Sequence, residues 1–378
     1  MNKTDLASLK LHKKKGGKIE TKSKVYLKNK KDLSLAYTPG VGAVSSLLAN
    51  NNDLAKDYTL KGNSVAVISD GSAVLGLGNL GAIGAIPVME GKAILFKEFA
   101  GIDAFPICLD TQDTEEIIKT VKYIAPVFGA VNLEDISAPR CFEIEERLKK
   151  ELNIPVFHDD QHGTALVVLS GLINSLKIKK LKKEKAVVVI NGAGAAGTAI
   201  AKILIKYGFR HVTVLDSVGI ISSERKDLNE AKKELASITN PRLSRGDLSS
   251  SLVGSDIFIG VSKGNVLKKE AIKSMNEKPV IFALANPVPE INPLDAKKSG
   301  AFIVATGRSD FPNQVNNILA FPGVIRGALD SGVRQIDDKM LIKAAENLAL
   351  SVKRPNPDKI LPNPFDRKVV KLVAKAIK

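Results

Sequence analysis

The segment Ala186-Val-Val-Val-Ile-Asn-Gly-Ala-Gly-Ala-Ala-Gly-Thr198 decides the fold class. Its opening aliphatic run has the apolar density of a strand buried on both faces, as in a parallel sheet. Glycines at 192, 194 and 197 then stand at the spacing of a dinucleotide-binding turn, between that strand and a helix read over Ala195 to Tyr207. Gly192, Gly194, Ala195, Ala196 and Gly197 are therefore the candidate cofactor-binding residues, because small residues let the backbone approach a pyrophosphate at a helix N-terminus. The next strand, His211 to Leu215, ends at Asp216, 19 residues past Gly197. A carboxylate there can accept both ribose hydroxyls and repel a 2′-phosphate, so NAD is expected over NADP. Lys226 or another nearby lysine keeps NADP open.

Outward from this unit, a charged helix is read over Glu224 to Ala236, and strands over Asp256 to Gly260, Pro279 to Ala283 and Ala301 to Ala305. Alternating strands and helices predict a Rossmann-type, doubly wound parallel sheet. Upstream, strands are read over Asn63 to Asp70, Ala104 to Leu109 and Ile154 to Phe157, with helical spacing over Thr114 to Ala125 and Ala138 to Glu151. The fold class is α/β: an N-terminal α/β catalytic domain over residues 1–161 with a basic arm or helical hairpin, a nucleotide-binding domain over 162–335, and C-terminal helices over 336–378 packing back on the first domain.

Two domains suit 378 residues with 44% hydrophobic content, since single cores stop growing at roughly 250 to 300 residues. No apolar run approaches the ~18 residues that span a bilayer, and the N-terminus lacks a signal-like apolar region, so a cytoplasmic protein without a membrane partner is expected. Cys108 and Cys141 lack metal-ligand spacing and read as buried thiols. The formal charge of +16 raises the question of nucleic acid, but the lysines are dispersed and aromatic content is 5%, so a solvated surface is preferred. The same field draws small dianions inward.

Two acidic pairs lie ahead of the glycine turn, Glu134-Asp135 and Asp159-Asp160, each after an apolar run read as a strand end. Mg²⁺ or Mn²⁺ needs only two or three such oxygens, because it retains water or substrate oxygens. His158 and His162 flank the second pair, but with no thiolate beside them a packing or supporting role is preferred to zinc ligation. A hard cation beside a nicotinamide suggests oxidation at a carbon that the cation grips through oxygen.

Further motifs carry a resemblance. Tyr37-Thr-Pro-Gly-Val, Asp70-Gly71, Leu75-Gly-Leu-Gly-Asn-Leu-Gly, Ile86-Pro-Val-Met-Glu-Gly-Lys92, Leu133-Glu-Asp, Phe157-His-Asp-Asp-Gln-His-Gly-Thr, Ala285-Asn286-Pro287 and Gly307-Arg-Ser-Asp-Phe-Pro-Asn-Gln-Val-Asn-Asn317 through Phe321-Pro-Gly resemble the malic enzyme family, in its short prokaryotic form. The resemblance implies oxidative decarboxylation of (S)-malate to pyruvate and CO₂ with reduction of NAD(P), in a homodimer. By motif it makes Lys92 the general base and Tyr37 the acid that protonates C3, with Glu134, Asp135 and Asp160 as metal ligands. Asp159 would orient Lys92, Asn286 and Asn317 would hold malate's carboxylate, and Asn286 would also contact the cofactor. Chemistry agrees, since a lysine of lowered pKa can take an alcohol proton and a tyrosine in a cationic site can return one to carbon. Lys97 is the local rival to Lys92. Many family members carry an arginine three residues after the aspartate matching Asp70; this chain has Ser72 and Ala73 there, with Arg308 the obvious cation to consider.

The alternatives are a metal-assisted 2-hydroxy-acid dehydrogenase that does not decarboxylate and, from another class, a nucleotide-sensing nucleic-acid-binding protein.

Overall fold

A computed structural model describes residues 3–378. The first sheet contains β1 (Ser64–Ser69), β2 (Asp103–Cys108), β3 (Ala130–Leu133) and β4 (Val156–His158), all parallel, in the order β2-β1-β3-β4. Its order reverses between β1 and β3, so the crevice beyond their carboxyl ends is where such sheets bind ligands. Asp70 follows β1 and Glu134-Asp135 follow β3, which delivers their side chains to that crevice.

The second sheet contains β5 (Val187–Asn191), β6 (His211–Leu215), β7 (Ile257–Gly260), β8 (Val280–Ala283) and β9 (Ile303–Thr306), also parallel, in the order β6-β5-β7-β8-β9. It reverses between β5 and β7, at the glycine turn. Both sheets are the α/β architecture read from the strand pattern.

The Thr164–Lys179 helix leads from one sheet to the other and is buried along most of its length. Its apolar residues all round suit a helix packed on every side. They share one continuous core with Val65 and Val67 of β1, Val188 and Ile190 of β5, and Leu341 and Val373 of the C-terminal helices. Those helices are Asp338–Leu350 and Lys368–Ala374, and the segment just before the second reaches the first unit at one edge, where Phe365 meets Phe99 and Arg367 meets Glu98.

One helix boundary changes. The charged helix is Glu230–Ile238, capped by the Asn229 side chain, and not a helix from residue 224. Arg225 is drawn instead to Asp216 and Asp227. The N-terminal stretch carries Lys3–Lys15 and Lys30–Ala36 as separate helices, followed by Val41–Asn50, none with a buried residue. Cys141 is buried but Cys108 only half-buried, and neither is in a disulfide. Among the described residues no helix is long and apolar enough to cross a membrane.

Candidate active site

Glu134, Asp135 and Asp160 each present an oxygen within 4.8 Å of the others. Asp135 holds a left-handed φ of 54° immediately after Glu134, which lets two consecutive carboxylates turn to one place. Asp160 is carried on a π-helical turn, Asp159–Gly163, directly after β4, and its Oδ2 accepts the Asp135 amide at 2.9 Å. Glu134 and Asp135 are buried. Burial, with Asp160 close by, pushes the Asp135 carboxyl up to about 7, and burial holds Glu134 well above the usual range despite Lys92. Asp135 Oδ2 is buried with no hydrogen-bond partner. Three crowded carboxylates, one with an orphaned oxygen, fit a hard divalent cation, which relieves their repulsion.

Lys92, on the Gly81–Ala100 helix, stands beside this cluster. Its Nζ is 2.5 Å from Asp159 Oδ2, 2.8 Å from Glu134 Oε1 and 4.2 Å from the centre of the Phe321 ring. Burial favours the neutral amine, but Asp159 and Glu134 outweigh it and raise the pKa above the ordinary lysine value. Asp159 also accepts from Asn317 Nδ2 at 3.2 Å, while Asn317 Oδ1 accepts from Thr164. Lys97 does not join them: it is 59% exposed and pairs with Asp103.

Asn286 follows β8, and its backbone oxygen lies against Gly76 of the first unit, where a Cβ would sit 2.3 Å away. This contact brings the two sheets' loops together at the crevice. Tyr37 stands apart: it is 67% exposed, and its hydroxyl bonds to no described residue. Arg308 is exposed and paired with Asp310, away from the carboxylates. The cation on Asp70 is Arg140, whose Nη2 reaches Asp70 Oδ2 at 2.8 Å and Ser72 Oγ at 3.0 Å. His162 bonds to Glu145, and His158 is buried with neither ring nitrogen hydrogen-bonded among the described residues, its Nδ1 lying 3.8 Å from Asp160 Oδ2.

The glycine turn opens a cavity of about 640 Å³ lined by Gly192, Gly194, Asp216, Val218, Lys232 and Lys263, among others. Gly197 has no alternative, since a Cβ there would meet Gly192 O at 1.8 Å. Ala195 and Ala196 start the Ala195–Tyr207 helix, whose amide end faces the turn. Asp216 departs from the free carboxylate read from the sequence. Arg225 grips both its oxygens at 2.8 and 3.0 Å, and Lys232 Nζ is 2.7 Å away. Burial would raise its pKa, but these cations hold it below the usual carboxylate range. Lys226 is exposed and takes no part.

Sequence reasoning missed Arg140, Glu145, Arg225 and Lys232. Arg225 and Lys232 had a weak signal, as cations within 16 residues of Asp216. Arg140 and Glu145 had none, since each meets partners brought by other strands.

Two family comparisons cover nearly all of this architecture. Residues 16–149 match "Malic enzyme, N-terminal domain" and residues 161–377 match "Malic enzyme, NAD binding domain". The chain belongs to the malic enzyme family. A "Bifunctional malic/malolactic enzyme" of Bacillus subtilis (strain 168) is 54% identical over 98% of this chain and 91% of its own length. An "NAD-dependent malic enzyme" of Geobacillus stearothermophilus is 54% identical over 96% of this chain and 76% of its own. The crystal structure of an NAD-dependent malic enzyme from Thermotoga maritima superposes with a TM-score of 0.95 at 53% identity, covering 98% of each chain. This malic enzyme fold therefore extends across both sheets and the C-terminal helices.

Proposed function

We propose that this chain oxidises (S)-malate and releases C4 as CO₂, giving pyruvate and a reduced nicotinamide dinucleotide, with Mg²⁺ or Mn²⁺ as required cation. The observation that carries this reading is Lys92 set between Asp159 and Glu134 at the edge of a three-carboxylate cluster. A cation held by Glu134, Asp135 and Asp160 would supply positive charge for the substrate's C1 carboxylate and C2 oxygen, and the dinucleotide would accept the hydride.

Lys92 is the base that takes the C2 hydroxyl proton, oriented by Asp159, which Asn317 holds from the second unit. Asn286 and Asn317 hydrogen-bond the malate carboxylate. After CO₂ leaves, Tyr37 returns a proton to C3. Its exposure, together with the unburied N-terminal helices and their apolar Leu27, Leu33 and Leu35, supports a homodimer in which this segment packs on a second copy.

NAD is the preferred cofactor, because Asp216 lines the cavity beside the glycine turn, where a carboxylate suits ribose hydroxyls and disfavours a 2′-phosphate. Arg225 and Lys232 favour a second reading in which a 2′-phosphate is also accommodated. Measuring CO₂ and reduced cofactor together, from malate with Mn²⁺ and either dinucleotide, tests the proposal. Equal amounts of both products are expected; reduced cofactor without CO₂ would identify a dehydrogenase that stops at the oxoacid.

A further inference from the structure

The cation cluster is assembled from two halves that different strands deliver, Glu134-Asp135 after β3 and Asp160 after β4. The Arg140–Glu151 helix lies between them in the chain and touches the supports of both.

At its first residue, Arg140 Nη2 donates to Asp70 Oδ2, Ser72 Oγ and Ser137 Oγ at 2.8, 3.0 and 3.2 Å. Ser72 Oγ accepts the Ser137 amide at 2.8 Å, and the Ala73 amide donates to the Asp135 carbonyl at 3.0 Å. This network fastens the Glu134-Asp135 loop to the end of β1. Five residues further on, Glu145 is buried and gathers four donors. The His158 amide lies at 3.3 Å, Gln161 Nε2 at 3.0 Å, His162 Nε2 at 2.8 Å and Lys149 Nζ at 2.7 Å. Three of these donors bracket Asp159 and Asp160 in the chain, so Glu145 holds the turn that carries both. Burial would raise the Glu145 carboxyl, but His162 and Lys149 keep it well below the usual range, so it remains an ionised acceptor. No step of the proposed reaction uses Glu145 or Arg140.

We propose that Arg140 and Glu145 are positioning residues, and that their helix sets the separation between Glu134-Asp135 and Asp160 and hence the affinity for the cation. The proposal rests on the reading of those three carboxylates as a cation site. A rigid helix with one anchor on each loop fixes a distance that neither loop fixes alone, and outer partners of this kind typically govern metal affinity. A merely structural ion cluster would change the stability of the fold without changing Mn²⁺ binding in the folded protein.

The test is direct Mn²⁺ binding, read from the electron paramagnetic resonance of the free ion, on the unaltered chain and on Glu145→Gln. Thermal midpoint and dinucleotide binding are measured alongside. The expected result is Mn²⁺ affinity weaker by about 10- to 100-fold in a folded Glu145→Gln that still binds dinucleotide. Gln161→Leu removes one donor and leaves the Lys149 and His162 pairs, so it serves if Glu145→Gln does not fold, with a smaller loss in the same direction. Unchanged Mn²⁺ affinity in the folded variant overturns the proposal alone. Absence of Mn²⁺ binding by the unaltered chain overturns the cation reading itself, and the proposal with it.

Discussion

Lys92 and Asp159 meet at 2.5 Å inside the protein, where Asp159 is fully buried and Lys92 is 11% exposed. An isolated ammonium or carboxylate there would be costly, and each is tolerated because the other neutralises it. The pair also fixes the amine, which Glu134 and Phe321 confine from two further sides. Both anions favour the charged ammonium, whereas a base must be neutral. Anything that draws the Glu134 charge elsewhere moves Lys92 toward the form the reaction needs.

Lys92→Ala is therefore expected to lower turnover with malate by about 10²- to 10⁴-fold, the usual contribution of a positioned acid or base. Dinucleotide binding, which uses the other sheet, should be unchanged in a titration followed by cofactor fluorescence. Turnover close to that of the unaltered chain would remove Lys92 from the role.

Gly163→Ala tests the turn that presents Asp159. A Cβ at residue 163 would lie 1.8 Å from Asp159 Oδ1, with Asn317 Cβ at 3.6 Å on another side. The carboxylate must move, and it is the same carboxylate that holds Lys92. We expect destabilisation of about 1–3 kcal/mol in denaturant unfolding, typical of overpacking, together with a fall in kcat. A variant with the parent's stability and kcat would contradict the geometry.

The parallel nucleotide-binding sheet was legible in the sequence, and the first unit as α/β, because buried strands are short aliphatic runs and the glycine turn has a fixed relation to its strand. The Glu134-Asp135 and Asp159-Asp160 pairs were legible for a related reason, since each follows such a run and so lies at a carboxyl end. Less accessible was anything that depends on which strands become neighbours. Asp70 meets Arg140 across 70 residues of chain, and Glu145 reaches back to residues 158–162 only because β3 and β4 pair. The pairing of Asp216 has a different, local cause, since its cations lie 9 and 16 residues away in the chain. Periodicity placed Arg225 on a helix, whereas two aspartates hold it in a loop.

That loop has a measurable pH signature. Asp216 has a folded-state pKa below its ordinary value, because Arg225 and Lys232 outweigh the upward push of burial. A carboxyl lowered in this way stabilises the fold above its unfolded pKa of about 4, and the contribution is lost as pH falls through the folded value. Arg225→Gln forfeits part of it. The gap in melting temperature between parent and variant should be full from about pH 8 to 5 and close in stronger acid. A gap that widens on acidification would contradict the assignment.

The proposed cofactor preference rests on the same three residues. Asp216→Ala removes the carboxylate that would repel a 2′-phosphate and releases Arg225 and Lys232 to meet one. The ratio of kcat/KM for NADP over NAD should then rise by about tenfold or more, the equivalent of ~1.4 kcal/mol. An unchanged ratio would show that selectivity lies elsewhere in the cavity.

Tyr37 supplies the last test, because its place in the single chain does not match its proposed role. It caps the Lys30–Ala36 helix, two-thirds exposed, on a segment whose helices have no buried residue. If a second copy covers that segment, light scattering should give a dimer, and Tyr37→Phe should lower turnover while leaving dinucleotide binding intact. Mixing subunits then separates two arrangements. A dimer with one Tyr37→Phe and one Lys92→Ala subunit has a site with both residues intact only if Tyr37 crosses to its partner. In that case the mixture regains turnover that neither variant has alone. If Tyr37 serves its own chain, each site of the hybrid lacks one residue and no activity returns.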